Sequence, residues 1–286
     1  MLDREEYVEQ AYFFRTLSER LPKNMPLQEL LRQTKEELVA STKLPLAIDF
    51  LRSELEHAGV LAPAMARLPH YFTPFQTYLV REAENERGRF DLRIALEILR
   101  AEAEYRSQAI SPQGLFLFQF ESLSRNRLHY DRGLGAMADD PAYDDDWREW
   151  VLIVRRQIGL IDFCNLLYVR SEYYQIQRAK RLGGVAELER PVLFGEKEGQ
   201  IAFANRGKDP LYLFAALQRH LGYPTVPRPK PHDDTPEVIP QLLRRMERLE
   251  TRVKLLQDEQ RGGLDITKLY KRPPAAAGPT DQEIGS

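Results

Sequence analysis

Glu54 and His57 stand three residues apart in a helix-prone stretch, a spacing that puts a carboxylate and an imidazole on one helical face. A carboxylate-bridged di-iron centre needs two such E-x-x-H pairs and two further glutamates on facing helices. His70, His129, His220 and His232 have no glutamate three residues before them. A single pair of this kind is expected on a solvated helix face. Glu54 and His57 are therefore the sole metal candidates, and no metal or other cofactor is predicted.

Asp162 lies between Ile161 and Phe163 in a largely apolar run, close to Asn165 and one to two helical turns from Arg155 and Arg156. A buried carboxylate must find partners or take up a proton. Two roles follow: a hydrogen-bonded tie to a neighbouring helix, or a buried polar pocket formed with Asn165, Arg155 and Arg156. In the pocket, Asp162 would serve as acid, base or ligand. The lone cysteine, Cys164, excludes an intramolecular disulfide and a multi-cysteine zinc site, and fits a small core residue. No nucleophile–base pattern stands beside these residues, so no catalytic residue is assigned.

The stretch DDPAYDDDWREW, from Asp139 to Trp150, holds five aspartates. The spacing of a calcium-binding EF-hand loop is absent from it. Asp144, Asp145 and Asp146 fit the start of a helix, where one carboxylate can cap unpaired N–H groups and all favour the positive dipole end. Asp139 and Asp140 are too early for that role and remain unassigned. The stretch YVRSEYYQIQRAKR, from Tyr168 to Arg181, interleaves aromatics with cations, as a base-stacking, phosphate-meeting surface would. Tyrosines at helical spacing also suit a core edge, and Arg178, Lys180 and Arg181 suit a helix C-terminus. Gly133-Leu-Gly135 lacks the strand–helix context of a phosphate loop.

Helices must position all of these residues. Apolar periodicity predicts helices over Arg4–Leu21, from about Pro26, from Pro45 to a Gly59 stop, over Pro74–Glu86 and over Asp91–Gln108. Another opens at Ser111-Pro112 and runs towards Tyr130, before Gly133 and Gly135 break the pattern. The longest is expected from Asp146 to Arg181. It is apolar on two adjoining faces, so it is expected to be the buried central helix, with Ile158 in the core. PVLFGEKEGQIAFAN then reads as a small β-hairpin at about 191–204, and Asp209-Pro210 starts a helix to Leu221.

Residues 1–223 thus form a mainly α body with one attached hairpin. Residues 224–236 are proline-rich and read as a semi-rigid linker. In a helix expected over 237–262, Ile239, Leu242, Met246, Leu249, Val253 and Leu256 alternate in steps of three and four, a narrow coiled-coil-like seam. Residues 263–286, rich in Pro, Ala and Gly, are expected to be disordered.

The chain has 286 residues, 41 basic and 43 acidic, so no overall charge draws it to nucleic acid or anionic membrane. Its most apolar long window, 150–169, contains Arg155, Arg156 and Asp162, which argues against a membrane span. The charged first residues do not resemble a secretory signal, so a cytoplasmic location is expected. The seam makes a non-enzymatic interaction or scaffold protein the leading expectation, self-associating or pairing with a partner's helix. An enzyme or ligand-binding protein with a pocket near Asp162 is the alternative. Nucleic-acid association through the basic end of the long helix is the second alternative.

Overall fold

A computed structural model describes residues 2–23, 25–39, 41–85, 90–108, 110–182 and 190–228, together with Met246, Leu249 and Val253. The chain divides into two units, Met1–Lys230 and Pro231–Ser286. The described part of the first unit is helical, with no sheet. Its helices are α1 (Arg4–Arg20), α2 (Leu27–Glu37), α3 (Leu44–Ala58), α4 (Ala62–Ala66), α5 (Pro74–Ala83), α6 (Leu92–Arg106) and α7 (Pro112–Arg125). They are followed by α8 (Tyr130–Ala138), α9 (Asp145–Gln157), α10 (Phe163–Val169), α11 (Glu172–Leu182), α12 (Glu196–Ala204) and α13 (Pro210–Leu221).

Side-chain caps set several of these starts. Asp91, Ser111, Asp144 and Asp209 each accept a backbone N–H of the first turn at 2.7–3.1 Å. Thr73 and Gln76 form a reciprocal capping box. Gly59 and Gly222 take the left-handed conformation just past α3 and α13, as a helix end requires of a residue without Cβ.

The central helix is α7, not the expected Asp146–Arg181 helix. Every residue from Gly114 to Leu123 is buried, so α7 meets neighbours all round. Phe116 packs against Trp147, Trp150 and Phe163, and Phe120 stacks on Phe163 at 4.1 Å between ring centres. α1 lies along α6, while α8 and α13 pack on α7.

The expected long helix is three helices, α9, α10 and α11, for two reasons. After Gln157 the chain turns through Ile158-Gly159-Leu160-Ile161; Gly159 has φ +85°, and the N–H groups of Leu160 and Ile161 share the Gln157 carbonyl. Asp162 then caps a new helix. Ile158 is only half-buried and Leu160 is 84% exposed, so the expected core position of Ile158 is corrected. The second break comes at Arg170-Ser171. There the N–H groups of Leu193 and Phe194 bond to the Arg170 carbonyl, and Glu172 N–H bonds to the Phe194 carbonyl.

That pairing also replaces the expected hairpin. The β-prone run ending at Phe194 does pair, but with Ser171 across a single bridge rather than with Ile201–Phe203. Residues 196–204 instead form α12, started by Gly195 and carrying Glu196 and Glu198 in its dipole-compatible first turn. Gly199, within the expected hairpin, lies inside α12, where a Cβ would overlap Ser171. Gly133 and Gly135 likewise lie within α8. A Cβ on Gly133 would stand 2.6 Å from Leu123, so glycine there permits close α7–α8 packing.

The start of the proline-rich segment packs on the body. Tyr223 and Val226 are buried, and the Asn126 side chain donates to the Pro227 carbonyl at 3.1 Å.

Candidate functional site

Glu54 accepts a hydrogen bond from the Arg67 guanidinium at 2.7 Å, and His57 is exposed. A carboxylate held this way on a helix surface is a structural ion pair. No group of three metal-ligating side chains occurs among the described residues.

The four residues expected in one polar pocket are not brought together. Asp162 is exposed; one of its oxygens accepts Cys164 N–H at 3.0 Å, and the other accepts Gly207 N–H at 3.0 Å. It therefore caps α10 and ties it to the turn after α12, and the expectation of burial is corrected. Arg155 grips Asp131 through two bonds of 2.7 and 3.0 Å. Arg156 is exposed, and Asn165 lines a shallow groove beside Trp150, Val169 and Arg170. Cys164 is buried; its thiol is pushed up to about 12 by burial first and the neighbouring Asp162 second, so it is a poor nucleophile at neutral pH.

Between α5 and α8 lies a cleft of about 490 Å³, with Tyr78, Arg81, Glu82, Asp131, Arg132 and Arg155 among its lining residues. Its charges largely answer one another. Arg155 is held by Asp131, and Arg132 stands 3.9 Å from the buried Glu82. The lining is open to solvent and carries three cations against three anions with Asp139, which selects no ligand charge.

A polar cluster missed in the sequence is buried within the body. Arg106 and Glu102 on α6 and Asp140 after α8 are side chains with at most 1% exposure. Arg106 Nη2 donates to Glu102 at 3.0 Å and to Asp140 Oδ2. Gln119 on α7 donates to both carboxylates at 2.7 and 3.1 Å and accepts from the Tyr143 hydroxyl at 2.8 Å. Two signals were present: Glu102 and Arg106 at i,i+4 continue the buried apolar stripe of Ala95, Ile98 and Leu99 on α6, and Gln119 lies inside the apolar run of α7. Asp140 thereby acquires a role as a buried ion partner. Asp139 pairs at the surface with Arg148 at 2.9 Å, and Asp144 caps α9.

The aromatic-basic stretch spends its ring faces internally. Tyr168 packs against Tyr173, Tyr174 and Phe203, and the Arg206 guanidinium sits 4.0 Å over the Tyr168 ring centre. Arg170, within the same stretch, is buried and donates to the Pro191 carbonyl. The core-edge reading accounts for these tyrosines. Lys180 and Arg181 occupy the last turn of α11, where cations suit the dipole.

Of the seam, Met246, Leu249 and Val253 are helical and 57%, 60% and 51% exposed. Ile239, Leu242 and Leu256 lie outside the described residues. Three large apolar side chains, at sequence steps of three and four, thus have more than half their surface in water. Among the described residues, no helix is long and apolar enough to cross a membrane. Comparison with protein-family models, characterised proteins and solved structures gives no match.

Proposed function

We propose that this chain is a non-enzymatic interaction protein, working in the cytoplasm, that self-associates through its C-terminal heptad helix. The observation that carries this reading is the exposure of Met246, Leu249 and Val253, at 57%, 60% and 51%, three helical residues at heptad spacing in the sequence. A helix of about two dozen residues is marginal alone in water, and a narrow apolar seam gains its stability by packing against another helix. In this reading the helical body carries the seam through a proline-rich segment that acts as a semi-rigid linker.

The test is the solution mass by light scattering. Full-length protein is expected to be a defined oligomer. A chain ending near Pro236, and a full-length variant with Met246, Leu249 and Val253 replaced by Lys, are both expected to be monomers. A full-length monomer overturns self-association and leaves a different protein's helix as the partner to seek.

A further inference from the structure

We infer that the occupant of the seam is a second copy of the same helix, running parallel and in register, as a two-stranded coiled coil. The inference rests on the self-association reading and adds partner, number and direction.

The spacing fixes the register. Counting from the exposed Met246, Leu249 and Val253, positions a are Ile239, Met246 and Val253, and positions d are Leu242, Leu249 and Leu256. Two of the three a residues are β-branched and every d residue is Leu. That distribution favours two parallel strands, whereas Ile at both positions, or Leu at a with Ile at d, favours three or four.

The flanking charges choose the direction. Arg245 and Arg252 fall at g, Glu250 and Gln257 at e. In a parallel, in-register pair, each g residue faces the e residue of the next heptad on the other strand. Arg245 then meets Glu250 twice per dimer, and Arg252 meets Gln257 twice. Neither pairing is like-charged. In an antiparallel pair with all six seam positions matched, Val253 lies opposite Leu242 and g faces g. Arg245 then meets Arg252 twice, a repulsion the parallel arrangement does not contain.

Cysteine cross-linking of the full chain reads direction. Leu242→Cys places two thiols in one layer of a parallel dimer. In the antiparallel dimer they are eleven residues out of step, about 16 Å along the helix and beyond disulfide reach. The buried Cys164 is present in every sample, so unsubstituted protein is the blank. The expected result is a dimer by light scattering that Leu242→Cys converts to a disulfide-linked dimer under mild oxidation. A dimer that cross-links only when Leu242→Cys is mixed with Val253→Cys is antiparallel. It overturns this inference while leaving self-association intact. A trimer or tetramer overturns the two-stranded assignment, and a monomer overturns both readings.

Charge reversal checks direction independently. In the parallel dimer Arg245→Glu sets Glu against Glu250 and is expected to raise the dimer Kd roughly three- to tenfold. Adding Glu250→Arg restores the attraction with the signs exchanged. In the antiparallel dimer the same Arg245→Glu relieves a repulsion and tightens association, so the sign of the change decides.

Discussion

Arg106 on α6 donates a hydrogen bond to Asp140, thirty-four residues later, and neither side chain has more than 1% of its surface in water. Glu102 shares the same guanidinium nitrogen, so one cation serves two carboxylates in the interior. Burial disfavours the charged guanidinium, but Asp140 and then Glu102 outweigh it and hold the arginine well above its ordinary range. Removing the cation leaves two carboxylates buried without it. Arg106→Met is therefore expected to cost about 3–5 kcal/mol in urea unfolding. A loss under about 1 kcal/mol would show that the cluster is hydrated or rearranges freely. Gln119→Leu removes a donor to both carboxylates and is expected to cost about 1–3 kcal/mol.

Alkali should act through the tyrosines. Tyr71, Tyr78, Tyr143 and Tyr223 are all raised above the ordinary phenol range, by burial first in every case. Anions reinforce it: Glu6 beside Tyr71, Glu82 beside Tyr78, Asp140 beside Tyr143 and Glu121 beside Tyr223. The folded chain thus holds protons that the unfolded chain releases near a pKa of about 10. Their contribution is complete below that pH and is lost as pH rises beyond it. The melting temperature is expected to fall steeply above about pH 10, with tyrosinate absorbance appearing together with unfolding. Tyr223→Phe should lessen the fall. Smooth ionisation of every tyrosine near the model-peptide value in folded protein would contradict these burials.

Asp162 separates a capping role from a chemical one. Its two oxygens satisfy Cys164 N–H and Gly207 N–H, each at 3.0 Å. Asp162→Ala is expected to cost about 1–2 kcal/mol, within the range for losing a helix cap. Asp162→Asn keeps one side-chain oxygen for Cys164 N–H but sets its amide NH2 against Gly207 N–H, so it should recover only part of that loss. If Asn were as damaging as Ala, the second acceptor, to Gly207, would matter more than the cap.

The pattern of legible and hidden features has a physical basis. Helix starts at Asp91, Ser111, Asp144 and Asp209 were readable because a cap and its N–H lie within three residues. The breaks after Gln157 and at Arg170 were hidden by continuous apolar periodicity, although Gly159 marked the first. The second depends on Leu193 and Phe194 arriving from a distant part of the chain. The same long-range pairing left 196–204 free to form a helix despite its β-prone residues. The charge cluster was hidden for a related reason: Glu102, Arg106, Gln119 and Asp140 come from three separate stretches, and only tertiary packing assembles them.

Two helical glycines should respond to alanine in opposite directions. Alanine in a helix interior is worth about 1 kcal/mol over glycine, so each substitution begins with a gain. At Gly199 the new Cβ would stand 2.6 Å from Ser171 Cβ and 2.7 Å from Tyr173 Cβ. Those atoms sit directly on the backbone at the start of α11. Ser171 is further fixed by donating to the Tyr168 carbonyl at 2.7 Å and accepting from Tyr174 N–H. The neighbour cannot give way, and the overpacking cost of about 1–3 kcal/mol outweighs the gain. At Gly135 the nearest atom to a new Cβ is Arg155 Nη1 at 3.4 Å, the far end of a flexible side chain, so the helical gain survives. Gly199→Ala is therefore expected to lower the urea midpoint and Gly135→Ala to raise it. Equal stabilisation by both would mean that α12 stands further from α11 than this packing requires.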